Sequence, residues 1–366
     1  MSDLLSLLYV TADRIGTPTG GGVVTFHESE ALKTLGPCEV LGREQLECDG
    51  PDPWKWDERL HSAWAWNSLP TKKYLKGNAI IGPIPKLCHL YAGTFGKTVA
   101  NLKARETIVT HTVAAHDRFV SRREHERLGV PFPYPHLIQE DLWQRYIEGY
   151  RLADVIVCPS TVAAKTVRDY GPDFAGKRIE VIPHGCTLPE KIMPLPRRFV
   201  LGYLGSFGVD KGVVYLLQAW KKLSYKDALL ILAGADSTSP WVRQMIEVYG
   251  GWSIYCMGWV RNVSDFYNSI SCLCQPSVTE GFGCEVVEAL AHGRPVICSE
   301  GAGAMDVVYP SMRFRACDVD DLVRAIQFAH DSISRVDQDS IKAEAEKYTW
   351  GRVREQYISL WKGLLL

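Results

Sequence analysis

The chain has 366 residues, of which 46% are hydrophobic and 23% charged, and this composition excludes a disordered or fibrous protein. At roughly 100–200 residues per domain, the length predicts two domains. The formal net charge of −1 gives no electrostatic footprint for nucleic acid. The N-terminal segment MSDLLSLLYV lacks the basic region and cleavage site of a signal peptide, so we expect a cytoplasmic protein.

In the first half of the chain, short apolar runs alternate with longer amphipathic segments. The predicted strands are residues 4–10, 38–41, 79–81, 86–91, 107–111 and 155–158, and the predicted helices are residues 23–35, 97–105 and 140–152. Alternating strands and helices favour parallel sheets of the α/β class.

The second half repeats this alternation. Its predicted strands are residues 199–204, 229–233, 254–257, 272–275, 296–298 and 312–314, and its predicted helices are residues 213–223, 241–249, 285–292 and 320–330. The segment LPEKIMPLPRR between the two halves has three prolines, as is typical of a linker. We therefore predict an N-terminal Rossmann-like domain (1–190), a C-terminal one (191–345) and a C-terminal amphipathic helix (346–366) that packs back on the first.

Several patterns argue against other classes of site. The run Gly96-Lys97-Thr98 resembles the end of a P-loop, but Tyr91 stands where the first glycine should be. Gly20, Gly21 and Gly22 do not form the G-x-G-x-x-G fingerprint of a dinucleotide site, although three glycines at a helix start suit the close approach of an anionic ligand. The eleven cysteines form no C-x-x-C pair, and most lie in apolar runs, which favours reduced core thiols over a zinc site.

The most informative stretch is QPSVTEGFGCEVVEAL, residues 275–290. It runs from a strand through a glycine-bracketed loop into a helix, where backbone amides suit an anion or a sugar hydroxyl. Glu280 and Glu288 add carboxylate acceptors, which suit hydroxyls. Amides between two such carboxylates describe a nucleotide-sugar site, and the alternative is a helix cap with a solvated glutamate.

The form EGFGxxxxE, followed by AxxxGRPVI, resembles the retaining glycosyltransferases of family 4, which have the GT-B fold of two Rossmann-like domains facing a cleft. The resemblance continues in LGSFGVDKG (204–212), LILAG (230–234), YCMGWV (255–260), GAGAMD (301–306) and VIPHG (181–185). It covers most of the chain in order, and residues 42–85 match least.

The resemblance implies roles for the donor-side residues. Glu288 is expected to accept hydrogen bonds from the donor ribose, and Glu280 from the transferred sugar. Lys211 is expected to neutralise the diphosphate. The other expected contacts are amides at Gly281, Phe282 and Gly283, the anion site at Gly20, Gly21 and Gly22, and the neighbourhood of the base at Val260 and Asn262. Ser206 stands where the family usually has a basic residue, which removes one cation of the usual pair.

A histidine of the N-terminal half is expected to face the reaction centre. His116 ends the apolar run IVTHTVAAHD, is expected at the end of a strand and is the preferred candidate, with His111 as its competitor. The resemblance also implies retention of anomeric configuration without a metal ion or other required cofactor. We interpret Asp318-Val319-Asp320 as a helix cap and not as a metal-binding D-x-D.

The expected reaction moves a sugar from a nucleoside-diphosphate sugar to a hydroxyl of a glycan, lipid-linked or small-molecule acceptor. Four tryptophans near lysines, at Trp54, Trp56, Trp64 and Trp66, suit either sugar stacking or peripheral membrane contact, and aromatic packing is their alternative. Two other functions stay open: a degenerate nucleotide-sugar-binding protein, and an epimerase or phosphorylase of the same fold.

Overall fold

A computed structural model describes residues 7–11, 15–16, 20–41, 75–76, 79–80, 85–90, 106–110, 114–130, 147, 149–235 and 237–366. The chain divides into two compact units. The first comprises Met1–Arg118, Pro133–Pro183 and Gly351–Leu366, and the second comprises Phe119–Phe132 and His184–Trp350. No helix of the described residues is long and apolar enough to cross a membrane.

The first unit is built on a parallel sheet. Its described strands are β1 (Leu7–Val10), β2 (Cys38–Leu41), β5 (Leu87–Leu90), β6 (Glu106–Thr110), β7 (Val155–Cys158) and β8 (Arg178–Val181). They lie in the order β2-β1-β5-β6-β7-β8, and every neighbouring pair is parallel. The strands β3 (Leu75–Lys76) and β4 (Ala79–Ile80) form a separate antiparallel pair. The helices are α1 (Gly20–Lys33), α2 (Ala114–Leu128), α3 (Thr161–Arg168) and the C-terminal α10 (Trp350–Leu365).

The C-terminal helix α10 packs on the first unit through one face. Val353, Tyr357 and Trp361 recur every four residues and are buried. The Tyr357 hydroxyl donates to Glu28 Oε1 at 2.6 Å. The Trp361 indole donates to His89 Nδ1 at 3.1 Å, and burial lowers the pKa of His89 to about 3. These bonds satisfy polar groups that would otherwise be costly in this core.

The second unit is built on another parallel sheet. Its strands are β9 (Val200–Leu204), β10 (Leu229–Ala233), β11 (Ile254–Gly258), β12 (Cys272–Gln275), β13 (Val296–Ser299) and β14 (Arg313–Phe314). Its helices are α4 (Val213–Leu223), α5 (Pro240–Tyr249), α6 (Val263–Ser269), α7 (Cys284–Ala291), α8 (Val319–Ser332) and α9 (Gln338–Ala345). The strand order is β11-β10-β9-β12-β13-β14, all parallel.

This strand order fixes where a ligand can enter the second unit. After β9 the chain moves to one side of the sheet, and from β12 onward it builds the other side. The segments that follow β9 and β12 therefore lead toward opposite edges of the sheet from the carboxyl ends of these two neighbouring strands. In open sheets of this order, ligands bind at that switch point.

Most predicted elements of the second unit are confirmed to within one or two residues, and four of them, 213–223, 229–233, 272–275 and the strand from Ile254, agree closely. Asp318 is confirmed as a helix cap, because its side chain accepts from Asp321 N at 2.9 Å. The described cysteines are free thiols, and most of those in the predicted strands, such as Cys88 and Cys298, are buried in the core, whereas Cys38 and Cys256 are partly exposed. Helices α2, α3, α6 and α9 were not predicted.

The predicted position of His116 at a strand end is wrong. Strand β6 ends at Thr110, and His116 lies in the first turn of α2. The β-branched run Ile108-Val109-Thr110 favours a strand, whereas the Ala114-Ala115 pair and the charged residues after it favour a helix. The predicted helix at 97–105, His111 and the four tryptophans at 54–66 lie outside the described residues.

Candidate active site

The candidate site lies at the switch point of the second unit. A single 3₁₀ turn, Val209–Lys211, follows β9, and the loop of residues 276–283 follows β12. The Val278 amide donates to the Asp210 carbonyl at 2.7 Å and joins the two segments. Both segments therefore form one surface at the carboxyl edge of the sheet.

Gly212 allows this close contact. Its φ of +70° lies in the left-handed region, which favours glycine. A Cβ atom at this position would lie 1.9 Å from the Pro276 carbonyl oxygen, a distance that only a backbone shift could relieve. Lys211 thus supplies a cation, and Gly212 directly after it lets the turn that carries Lys211 lie close to the loop that follows β12.

Lys211 and Glu280 form an ion pair at this surface. The Lys211 ammonium donates to Glu280 Oε2, and both side chains are about three-quarters buried. Burial lowers the pKa of Lys211, but the Glu280 carboxylate and the nearby Asp210 outweigh it and hold the pKa well above its usual range. Lys211 is therefore a fixed positive charge whose present partner is a carboxylate.

The loop that carries Glu280 is held by a second loop, residues 301–304. The Glu280 amide donates to the Gly301 carbonyl, and the Gly303 amide donates to the Glu280 carbonyl, both at 3.0 Å. The Ala304 amide donates to the Phe282 carbonyl at 2.7 Å. These bonds fix the backbone whose amides lead into α7, and the first amides of a helix have no partner within it.

Gln275 and Glu285 span the same loop from end to end, and sequence reasoning missed both. The Gln275 amide nitrogen donates to Glu285 Oε1 at 2.7 Å. It also lies against Gly283, where a Cβ atom would come within 3.0 Å of it. The signal was present in the sequence as a polar residue at a strand end and an acid in the first turn of a helix.

Glu288 lies one turn further along α7. Its Oε2 accepts from the hydroxyl of the buried Tyr267 at 2.6 Å. Burial raises the pKa of Glu288, and the bond from Tyr267 partly opposes this by stabilising the carboxylate. His292 ends the same helix, where Nδ1 contacts the Glu288 carbonyl at 2.7 Å and Nε2 contacts Ser264 Oγ at 2.9 Å.

His184 was also missed as a neighbour of the loop. Its Nδ1 lies 3.4 Å from Cys284 Sγ, and its ring packs edge-on to Phe282 at 5.4 Å between centroids. Burial lowers the pKa of His184 to about 4, while Glu280 opposes this shift. A neutral imidazole therefore supports the Phe282 side of the loop.

The structure brings Lys211 together with Glu280, whereas the other expected donor contacts have local structural roles. Ser206 is exposed after β9, and its carbonyl accepts from the Tyr203 hydroxyl. Asn262 caps α6 by accepting from Ser264 N at 3.2 Å, and Val260 packs against the core. In the first unit, Gly20, Gly21 and Gly22 form the first turn of α1 rather than a loop before it.

Solved structures resemble the chain over nearly its full length. Sucrose-phosphate synthase from Thermosynechococcus elongatus matches with a TM-score of 0.74 over 98% of both chains, at 17% identity. Anabaena HepE, solved in complex with UDP and glucose, matches with a TM-score of 0.63 over 98% of this chain and 100% of its own, at 15% identity. The fold is GT-B. The two parallel-sheet units are its two Rossmann-like domains, as predicted from the sequence.

Sequence comparisons point in the same direction. Residues 198–331, which contain the candidate site, match the family "Glycosyl transferases group 1". An uncharacterised glycosyltransferase of Methanocaldococcus jannaschii is 26% identical over 44% of each chain. One of Haemophilus influenzae is 28% identical over 62% of this chain and 70% of its own. The chain thus spans less than half of the first of these curated relatives. Together the matches support a GT-B glycosyltransferase.

Proposed function

We propose that the chain is a retaining glycosyltransferase of family 4 that moves a sugar from a nucleoside-diphosphate sugar to an acceptor hydroxyl of a glycan, a lipid-linked or a small molecule. One observation carries this proposal: Lys211, Glu280 and the amides before α7 meet at the switch point of a sheet with the nucleotide-binding strand order. The similar HepE protein was solved with UDP and glucose, which favours the same class of donor.

Lys211 acts on the diphosphate. Negative charge grows there as the bond to the sugar breaks, and a fixed ammonium stabilises that charge in a partly buried site. Lys211 is held beside the carboxylate of Glu280. An entering diphosphate competes for Lys211, and the released Glu280 carboxylate can then accept from hydroxyls of the transferred sugar.

The remaining donor contacts follow from α7 and its loop. The amides of Gly281, Phe282 and Gly283 face the sugar and diphosphate at the start of the helix, where the helix dipole favours negative charge. Glu288 accepts from the ribose hydroxyls with the carboxylate oxygens that Tyr267 helps to orient. Ser206 supplies a hydrogen-bond donor without charge, and Val260 and Asn262 border the base.

No metal ion is required in this proposal, because Lys211 and the helix amides supply the positive potential that a metal would otherwise provide. His116 is the proposed contact of the transferred sugar in turnover, and Gly20, Gly21 and Gly22 are proposed contacts of the anion. The tryptophans Trp54, Trp56, Trp64 and Trp66 remain candidates for acceptor or membrane contact.

The test is to incubate the chain with a panel of nucleotide sugars, with and without EDTA, and to follow release of the nucleoside diphosphate. We expect turnover of at least one donor, insensitive to EDTA, and a product whose anomeric configuration by NMR equals that of the donor. The matched variants are Lys211→Met, which should lose turnover, and the exposed Glu247→Gln, which should not. Binding without any turnover would favour the degenerate binding protein, and an epimerised donor would favour the epimerase.

A further inference from the structure

Glu285 has no role in the EGFGxxxxE pattern, yet its carboxyl interacts electrostatically with Lys211 and Glu280, the two residues that the proposed function uses most. It follows Gly283 and Cys284 in the first turn of α7, and its side chain turns back to Gln275 at the end of β12. It is thus a third carboxylate at the switch point, in addition to Glu280 and Asp210.

The Gln275–Glu285 hydrogen bond acts as a strut across the loop of residues 276–283, which we call the donor loop. It joins the last residue of β12 to the first turn of α7, so it closes residues 276–284 at both ends. Since Gln275 also lies against Gly283, the strut touches the backbone that presents the loop amides. An amide nitrogen can donate to a carboxylate or to the carbonyl oxygen of a carboxylic acid, so the strut persists in either protonation state.

The charges around Glu285 are unbalanced. Lys211 is the one cation among the titratable groups that influence Glu285 in the described residues, and it already pairs with Glu280. Burial, and then Glu280, raise the pKa of Glu285 to about 7, while Lys211 opposes them. The titratable groups that interact with this carboxyl are Lys211 from the turn after β9, Tyr203 from β9, Glu280 from the loop, Cys284 and Glu288 from α7, Tyr267 from α6 and Cys298 from β13.

The neighbouring thiol, phenol and imidazole groups do not change charge near neutral pH. Burial keeps the pKa of Cys284 well above its usual range, and likewise the pKa of Tyr203. Burial lowers the pKa of His184 to about 4, so this histidine is already neutral. Glu285, whose pKa is about 7, therefore changes charge between pH 6 and pH 8.

We propose that Glu285 is a proton-holding positioning residue: binding of the anionic donor is accompanied by uptake of one proton from solvent, which comes to rest on the Glu285 carboxyl while its bond to Gln275 holds the loop. This inference rests on the proposed function, because the diphosphate is the anion that drives the uptake. Two more negative charges beside Lys211, together with the released Glu280, favour the neutral form of Glu285.

The sign of the pH effect follows from this linkage. At pH 8 a carboxyl with a pKa of about 7 is roughly 90% ionised in the free protein. Donor binding at this pH therefore requires Glu285 to take up a proton, and this requirement lowers the affinity for the donor. At pH 6 the carboxyl is already mostly neutral and little is taken up. Affinity for the donor therefore falls by up to about tenfold per pH unit above pH 7 and is nearly constant below pH 6.

The experiment is calorimetry of a nucleotide sugar from the panel at pH 6, 7 and 8.5, in buffers of low and high ionisation enthalpy. Both phosphates of a nucleotide sugar are esterified, so the ligand itself does not titrate in this range. The wild-type chain should take up about one proton at pH 8.5 and little at pH 6. Glu285→Gln keeps a partner for Gln275 without the charge, so it should take up none and bind roughly tenfold or more tightly than the wild type at pH 8.5. Glu247→Gln should behave as the wild type.

The remaining outcomes contradict either the role of Glu285 or the proposed function. Binding with no proton uptake by the wild type overturns the role of Glu285, and this result needs no variant. Uptake that persists unchanged in Glu285→Gln also overturns it, because another group then holds the proton. If no nucleotide sugar binds at any pH, the proposed function fails first and the inference fails with it.

Discussion

Glu288 gives the sharpest prediction for donor binding, because its two tasks can be separated. One carboxylate oxygen accepts from Tyr267 within the protein, and the proposed function assigns the ribose hydroxyls to the carboxylate as well. Glu288→Ala removes both interactions, whereas Glu288→Gln keeps an acceptor for Tyr267 and removes only the charge.

The expected magnitudes differ for binding and for stability. Loss of charge-assisted bonds to the ribose should weaken nucleoside-diphosphate binding by about 1.5–3 kcal/mol, or about 10- to 150-fold. Glu288→Ala should also lower the free energy of unfolding by about 1–3 kcal/mol, because it leaves the fully buried Tyr267 hydroxyl unpaired. Glu288→Gln should weaken binding while nearly preserving stability.

Isothermal calorimetry with the nucleoside diphosphate and urea unfolding measure the two effects. Tyr267→Phe is the matched control, since it removes the internal bond and leaves the carboxylate in place. It should lower stability by about 1 kcal/mol and weaken binding far less than Glu288→Ala. Unchanged affinity in a folded Glu288→Ala variant would remove Glu288 from the donor site.

Two further predictions concern turnover and folding. His116→Ala should lower kcat by about 100-fold and change the nucleotide affinity by no more than a few-fold, because its proposed contact strengthens only in the transition state. If His111→Ala loses turnover while a folded His116→Ala keeps it, the choice of histidine is wrong. Gly212→Ala should destabilise the second unit by several kcal/mol, since its Cβ would lie 1.9 Å from the Pro276 carbonyl oxygen at a φ of +70°. Gly176→Ala, which meets nothing within 4 Å, is its control, and equal melting temperatures would contradict the close approach.

The second unit was the more predictable of the two from sequence. Its strands are continuous apolar runs that end at a glycine or proline, as in LLILAG and CLCQP, because both faces of a parallel sheet are buried. Its Gly212 and Glu280 fall at the carboxyl ends of strands, so the site follows once the strands are placed. The helix that carries His116 was missed because VAAHD is apolar enough to extend the preceding strand on pattern alone.

The polar neighbours of the site could not be predicted in the same way. His184 lies 100 residues before its contact Cys284, and the Gln275–Glu285 bond joins a strand end to a helix start, so both contacts depend on how β12, α7 and the segment after β8 meet. Local patterns do not encode such pairs. An acid in the first turn of a helix is expected as a partner of the helix dipole, and nothing in the sequence distinguishes that role from the bond to Gln275.

A crystal structure of the chain with a bound nucleotide sugar tests the central claim most directly. We predict that the diphosphate lies within hydrogen-bond distance of Lys211 Nζ and of the amides of Phe282 and Gly283, with the ribose at Glu288 and the Lys211–Glu280 bond broken. A nucleotide bound elsewhere in the chain, with Lys211 still paired to Glu280, would contradict the assignment of the switch point as the donor site.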